Sequence, residues 1–90
     1  MKNIEKKIEE IVSLFKSKKL LKAEKYNKAL IIEYPKVVYL YNLLGLILSE
    51  KKQPLEALEY YNKGLEIDPK NSMIYNNIGS IYKTRSWNKV

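Results

Sequence analysis

Apolar residues in the centre of the chain recur at the spacing of one helix face, with polar residues between them. The first stripe consists of Tyr41, Leu44, Gly45 and Leu48, at positions i, i+3, i+4 and i+7. After a short polar segment comes a second stripe of Leu55, Leu58, Tyr61 and Leu65, with the small residues Ala57 and Gly64 beside it. The two stripes predict a pair of amphipathic helices joined by a short turn.

Prolines mark where the second of these helices begins and ends. Pro54 fits the first helical turn, where an N–H has no intrahelical partner and its loss costs nothing. Pro69 ends the helix, because a proline biases the preceding residue away from helical dihedral angles. Applied to the whole chain, the same pattern predicts five helices, at residues 4–17, 20–34, 37–51, 54–67 and 72–84.

The sequence repeats itself at a constant spacing, which equals the sequence separation between Tyr41 and Tyr75. A shift of the sequence by this spacing aligns glycine with glycine, alanine with alanine and proline with proline. The aligned pairs include Tyr41 with Tyr75, Asn42 with Asn76, Leu44 with Ile78, Gly45 with Gly79, Ala23 with Ala57, Tyr26 with Tyr60 and Pro35 with Pro69. A unit of helix, turn and helix that recurs in this way indicates a stacked repeat architecture.

The unit at residues 38–71 resembles the tetratricopeptide repeat, whose pattern has Trp, Leu, Gly and Tyr on its first helix and Ala, Phe, Ala and Pro later. The corresponding residues here are Tyr41, Leu44, Gly45 and Leu48, then Ala57, Tyr61, Gly64 and Pro69. The resemblance implies an all-α fold in which antiparallel helix-turn-helix repeats stack as a short right-handed α-solenoid. It also implies a single domain over residues 1–90, with units at 4–37, 38–71 and a truncated 72–90, about two and a half repeats.

The first and third units depart from this pattern. In the first unit, the signature fits the first helix only if Ile8, Ile11, Val12 and Phe15 take the places of Trp, Leu, Gly and Tyr. This alignment predicts a turn one residue shorter than in the second unit. The third unit reproduces the first helix well, and the given sequence stops where its second helix would begin.

Two glycines stand in the middle of predicted helices, where glycine costs about 0.5–1 kcal/mol relative to alanine. We expect Gly45 to allow close approach of the third and fourth helices, with Ala57 at the same contact. Gly79 is expected to do the same for the fourth and fifth helices. These positions are interpreted as packing positions and not as functional sites.

Other residues of the first helices fall where the resemblance implies a concave groove that holds extended peptides or partner helices. They are Tyr39, Asn42, Leu46, Ser49 and Glu50 on the third helix, and Met73, Asn76, Ser80, Lys83 and Thr84 on the fifth. With the shifted alignment, the first helix would add Lys6, Glu9, Ser13, Lys16 and Ser17. Asn42 and Asn76 are either amides that hydrogen-bond a ligand backbone or solvated polar residues.

Composition limits the chemistry that the chain can perform. It contains neither His nor Cys, so it lacks the usual general base, the thiolate nucleophile and the commonest zinc ligands. The phosphate-binding glycine loops and the serine-nucleophile motif are absent, and the pairs Glu5/Glu9 and Glu56/Glu59 are helical neighbours. We therefore predict a non-catalytic protein with no cofactor and no metal site.

Positive charge is concentrated in the first part of the chain. Residues 1–36 contain ten Lys and five Glu, which is +5 of the net charge of +7. A cluster of Lys16, Lys18, Lys19, Lys22, Lys25 and Lys28 favours an acidic partner. Because Tyr26 is the only aromatic residue in this cluster, which leaves no platform for base stacking, we predict no specific nucleic-acid binding. The acidic residues of the first helix argue against membrane binding. The N-terminus lacks the apolar core of a signal peptide, so a native start at Met1 predicts a cytoplasmic protein.

Two functions of different class fit the sequence. One is a scaffold for protein–protein interaction that binds an acidic peptide or partner segment in the concave groove. The alternative is the N-terminal repeat portion of a larger, glycosyltransferase-like or sulfotransferase-like protein, in which the repeats orient the enzymatic domain or its substrate.

Self-association is also expected. The end of a solenoid normally carries a polar capping helix, and the given sequence stops before such a helix would form. The sequence predicts a two-fold dimer at the C-terminal end. Its interface would comprise Ile74, Ile78, Ile81, Tyr82 and Trp87.

Overall fold

A computed structural model describes residues 2–85 of the protein and the side chains of residues 3–83. It contains the helices α1 (Lys2–Lys16), α2 (Leu20–Glu33), α3 (Val38–Glu50), α4 (Pro54–Ile67) and α5 (Ser72–Arg85). All regular secondary structure within these residues is helical. The predicted all-α fold is confirmed, and α4 begins at Pro54 as expected.

The helices pack against one another in chain order, and α3 with α4 forms the most extensive pair. The short turns between paired helices force them to run antiparallel. Further contacts join α1 to α3 and α3 to α5, so the first helices of successive units lie side by side. An ion pair between Lys28 and Glu56 links the second helices, α2 and α4. The arrangement is a helical repeat solenoid.

Helix α3 forms the centre of the molecule because it is apolar on nearly all sides, and such helices are buried in globular proteins. Its residues 40–45, 47 and 48 are all buried. One side contributes Leu40, Leu43 and Ile47 to a cluster with α1 and α2. The other side contributes Leu44 and Leu48 to a cluster with α4 and α5.

The turns of the first two units have the same length, and the predicted shorter turn is wrong. The Lys19 amide donates to the Leu14 carbonyl, and one repeat later the Gln53 amide donates to the Leu48 carbonyl, both at 2.9 Å. Lys18 and Lys52 adopt left-handed dihedral angles, with φ of 66° and 68°. This is the Schellman geometry, in which the left-handed residue closes the helix end.

Equal turns change the alignment of α1. When the repeat spacing is kept constant, the place of Gly45 is taken by Ile11 and the place of Tyr61 by Asn27. Ile11 is 1% exposed and Asn27 is fully buried. A large residue therefore stands where the second unit has a small one, and a small residue where it has a large one.

The buried face of α4 differs from the predicted stripe. Leu55 is 68% exposed, whereas Ala57 and Tyr61 are fully buried. Leu55 and Ala57 are two residues apart, so they point in directions about 200° apart on the helix. The stripe that contacts α3 is Ala57, Tyr61 and Gly64, at positions i, i+4 and i+7.

The glycines confirm one close approach and correct another. A Cβ on Gly45 would overlap the ring of Tyr61, so Tyr61 of α4 lies at this contact. A Cβ on Gly79 would meet nothing within 4 Å in the described part of the chain. The close approach of α4 to α5 lies instead at Gly64, whose Cβ would come within 2.7 Å of Ile74 Cδ1.

Tyrosines on α3 and α5 join the second and third units to the loops that precede them. The Tyr41 hydroxyl donates to the Pro35 carbonyl at 2.7 Å, and the Tyr75 hydroxyl donates to the Pro69 carbonyl at 2.9 Å. The two bonds join equivalent pairs of residues in successive repeats. The same hydrogen bond therefore orients the first helix of the second and third units.

Candidate functional site

The predicted groove residues differ widely in exposure. Tyr39 is 43% exposed and Met73 is 53% exposed, whereas Asn42 is only 4% exposed. Leu46 and Ser49 are half-buried, and Glu50, Asn76, Ser80 and Lys83 are exposed. The side chain of Thr84 lies outside the described residues. Most of the set can thus meet a ligand, but Asn42 cannot do so in this arrangement.

Asn42 has its partner inside the protein. Its Oδ1 accepts a hydrogen bond of 2.7 Å from Nδ2 of Asn77, which joins α3 to α5. Asn76, the other amide predicted for the groove, is exposed, and it is the next residue, Asn77, that reaches α3. A buried amide that already has a partner supports the contact between the two units.

An open cleft of about 520 Å³ lies where the end of α3 and the following turn meet α5. Four predicted groove residues line it, from these two helices or their ends: Leu46, Ser49, Glu50 and Ser80. Residues that were not predicted for the groove complete the lining, namely Lys52, Pro54, Tyr61, Asn77 and Ile81. The cleft therefore combines apolar walls with several polar groups, which is the usual composition of a binding site.

Two buried hydroxyls belong to this cleft. Ser49 Oγ and the Tyr61 hydroxyl lie near each other, yet neither has a hydrogen-bond partner of acceptable geometry among the described residues. Burial raises the pKa of Tyr61 to about 12, partly offset by the Ser49 hydroxyl. Both groups are therefore neutral near pH 7 and can each donate and accept a hydrogen bond.

One feature of the sequence distinguishes Tyr61 from an ordinary core residue. The related pattern has Phe at this place, and the extra hydroxyl of a tyrosine needs a partner when the ring is buried. The contributions of Lys52, Pro54 and Asn77 carried no such signal, because they depend on how α5 is placed against the turn after α3.

The first unit presents a more apolar surface than predicted. With equal turns, the places of Asn42, Leu46 and Ser49 are taken by Ile8, Val12 and Phe15. These three residues are partly buried and pack on the cluster between α1 and α3. The set predicted from the shifted alignment, Lys6, Glu9, Ser13, Lys16 and Ser17, is exposed but does not occupy these places.

Salt bridges engage part of the lysine cluster. Lys18 Nζ lies 3.1 Å from a carboxylate oxygen of Glu50, at the rim of the cleft. Lys28 pairs with Glu24 at 2.8 Å and with Glu56 at 3.6 Å. Lys16, Lys19, Lys22 and Lys25 are exposed and form no salt bridge within the described residues. These four keep the surface basic.

Glu24 is the centre of a clamp between the first two units. Its carboxylate accepts hydrogen bonds from Lys28 in α2 and from Lys51 in the turn before α4. Burial alone would raise the pKa of Glu24, but the two lysines lower it further than burial raises it, so the net shift is downward. The hydrogen bond to Glu24 raises the pKa of Lys28. The clamp is therefore fully charged at neutral pH.

The structure corrects the predicted dimer interface in part. Ile74 is fully buried and Ile81 is 4% exposed, because both pack on α4 within the same chain. Ile78 is half-buried and Tyr82 is 52% exposed, so these two can still meet a partner. Trp87 lies outside the described residues.

Within residues 2–85, no helix is long and apolar enough to cross a membrane. No group of three or more acidic side chains in this range is arranged to hold a metal ion.

Comparison with known protein families identifies the repeat. Two family models described as tetratricopeptide repeat match the chain, one at residues 38–71 and the other at residues 60–89. Together they cover more than half of the sequence and include the units with the clearest internal repeat. A comparison with curated proteins finds none that matches. The repeats of this family generally mediate protein–protein interaction and are typically non-catalytic. The chain belongs to the tetratricopeptide repeat family.

Proposed function

We propose that the protein binds an extended or helical segment of an acidic partner protein along the surface formed by α3 and α5. The cleft of about 520 Å³ is the observation that carries this proposal. Four residues predicted for the groove line this cleft, and they come from two successive units, as Ser49 and Ser80 do.

The composition of the cleft supports recognition of a peptide. Leu46 and Pro54 offer apolar contact, and Glu50, Lys52 and Ser80 are exposed polar residues of the same lining. Apolar walls with a few polar groups suit a segment that carries both kinds of side chain.

Charge supports an acidic partner. The net charge of +7 attracts acidic segments, and four exposed lysines of the first unit lack salt bridges within the described residues. The attraction is expected to weaken as salt rises above about 0.15 M, where the Debye length falls below about 8 Å. Affinity is expected to be modest, because ordering a flexible peptide opposes binding.

Selection from a random peptide library on the immobilised protein tests the proposal. We expect the selected peptides to be acidic, and we expect the variant Ser80→Tyr, which fills the cleft, to bind them about tenfold more weakly. Asn62→Tyr is the matched control, since Asn62 is exposed on α4 and does not line the cleft.

A second comparison separates the cleft from the basic surface. The double variant Lys22→Glu/Lys25→Glu reverses the charge of two exposed lysines that neither line the cleft nor form salt bridges within the described residues. If this variant alone loses binding while Ser80→Tyr binds normally, the partner lies on the basic surface of the first unit and the proposal is wrong.

A further inference from the structure

The outer face of α5, formed by Tyr75, Ile78 and Gly79, repeats the face of α3 that α4 covers. The corresponding residues of α3 are Tyr41, Leu44 and Gly45. Tyr41 is 7% exposed, whereas Tyr75 is 53% exposed. Gly45 is buried, whereas Gly79 is exposed. Two helices with the same pattern thus differ in whether a second helix from residues 2–85 lies on them.

The glycines show this difference most directly. A Cβ on Gly45 would overlap the Tyr61 ring of α4, whereas a Cβ on Gly79 would meet nothing within 4 Å among the described residues. A glycine in the middle of a helix costs about 0.5–1 kcal/mol relative to alanine. At Gly45 the close approach of the ring offsets this cost, and at Gly79 nothing in the described structure does so.

We propose that the outer face of α5 binds an amphipathic helix of a partner protein, which occupies the position that α4 occupies on α3. This surface is separate from the cleft, because α5 turns Asn77 and Ser80 towards the cleft and Tyr75 and Gly79 towards solvent.

The packing of α4 on α3 specifies the pattern of the partner helix. Its aromatic residue, equivalent to Tyr61, would lie over Gly79 as Tyr61 lies over Gly45. A small residue three positions later, equivalent to Gly64, would contact Tyr75, since a Cβ on Gly64 would be 3.2 Å from Tyr41 Cβ. A small residue four positions before the aromatic residue, equivalent to Ala57, completes the pattern.

Charge selects a partner protein over a second copy of this chain. Each copy carries +7, so two copies repel each other, whereas an acidic helix is attracted. Helix α4, from which the pattern of the partner helix is taken, is itself acidic. It contains Glu56, Glu59 and Glu66 but only one lysine, Lys63. The inferred partner is therefore an acidic helix with a small residue, three intervening residues and an aromatic residue.

A synthetic peptide with the sequence of residues 54–67 is the probe, titrated to roughly millimolar concentration because an isolated helix of this length is marginal in water. Amide chemical shifts of the full-length chain report the binding site. We expect saturable shifts at Tyr75, Ile78 and Gly79. The same peptide with Tyr61→Ala should bind about tenfold more weakly, as expected for the loss of a central aromatic anchor.

Two protein variants locate the site. Gly79→Leu fills the outer face of α5 and should weaken binding by about tenfold or more. Because nothing in the described structure lies near a Cβ at Gly79, this variant should remain folded, which thermal unfolding can verify. Asn76→Leu is the matched control: it adds the same side chain to an exposed position of α5 that is not part of the outer face.

Several outcomes would overturn the proposal. The absence of shifts on α5, or binding that Gly79→Leu leaves unchanged, would show that the face does not accept such a helix. Binding to residues 1–85 but not to the full chain would assign the face to residues 86–90. Sedimentation that shows a dimer of the wild type and a monomer of Gly79→Leu would make a second copy the occupant. If the library yields no peptide that binds the cleft while the peptide of residues 54–67 binds α5, the proposed function is wrong and the inference about α5 stands.

Discussion

The ring of Tyr61 fills the space in which a side chain of residue 45 would lie, so glycine at position 45 and tyrosine at position 61 form one packing unit. Tyr61 is fully buried, and it also lines the cleft between α3 and α5. The same residue therefore belongs both to the core and to the wall of the candidate site.

Alanine substitutions at the two equivalent glycines should act in opposite directions. Gly45→Ala forces a Cβ into a buried ring and should lower the free energy of unfolding by about 1–3 kcal/mol. Gly79→Ala improves helix propensity at an open position and should raise the free energy of unfolding by about 0.5–1 kcal/mol. Urea denaturation of both variants measures the two effects. Shifts in the same direction would contradict the assigned packing of α4 on α3.

Alkaline pH should destabilise the protein through Tyr61. Its pKa of about 12 in the folded state lies above the ordinary value near 10, so the folded state keeps the phenol proton more strongly than the unfolded state does. The resulting stability is complete below about pH 10 and is lost as pH rises towards 12. Tyr61→Phe should lose less stability between pH 9 and pH 11.5, as measured by urea denaturation. Equal losses in both proteins would show that Tyr61 is not the titrating group.

The clamp at Glu24 should produce an acid-dependent effect. Because the pKa of Glu24 is lowered in the folded state, its contribution is present above the ordinary carboxyl value and is lost as pH falls through the folded value. Glu24→Gln should reduce the free energy of unfolding by about 1–3 kcal/mol at pH 7. The difference from wild type should shrink towards pH 3. The exposed Glu66→Gln is the control and should change little at either pH.

Asn27 should be replaceable with a gain in stability. It is fully buried, and neither its Nδ2 nor its Oδ1 has a hydrogen-bond partner among the described residues. Asn27→Leu has nearly the same shape and should raise the free energy of unfolding by about 1–3 kcal/mol. Asn42→Leu provides the contrast, because it leaves Asn77 without its acceptor and should not stabilise. A loss of stability on Asn27→Leu would indicate that the buried amide has a partner after all.

The sequence by itself determined the elements and their repetition. Helix periodicity, the prolines at 54 and 69 and the constant repeat spacing are local properties, and each acts on a segment whatever lies around it. They were sufficient to predict five helices, the all-α repeat fold and the close approach at Gly45. The resemblance to the tetratricopeptide repeat identified Leu46, Ser49, Glu50 and Ser80 as groove residues, and these four line the cleft.

Only the tertiary structure decided which faces meet and which atoms pair. The turn after α1 closes through a left-handed Lys18, a geometry that lysine adopts at some cost and that its identity therefore does not signal. Asn77, not Asn76, reaches Asn42, because a shift of one residue rotates a side chain by about 100° around the helix. Ile74 and Ile81 are covered by α4, and Gly79 is open, for the same reason. These outcomes depend on the relative rotation of neighbouring helices, which packing between units sets and which no single segment encodes.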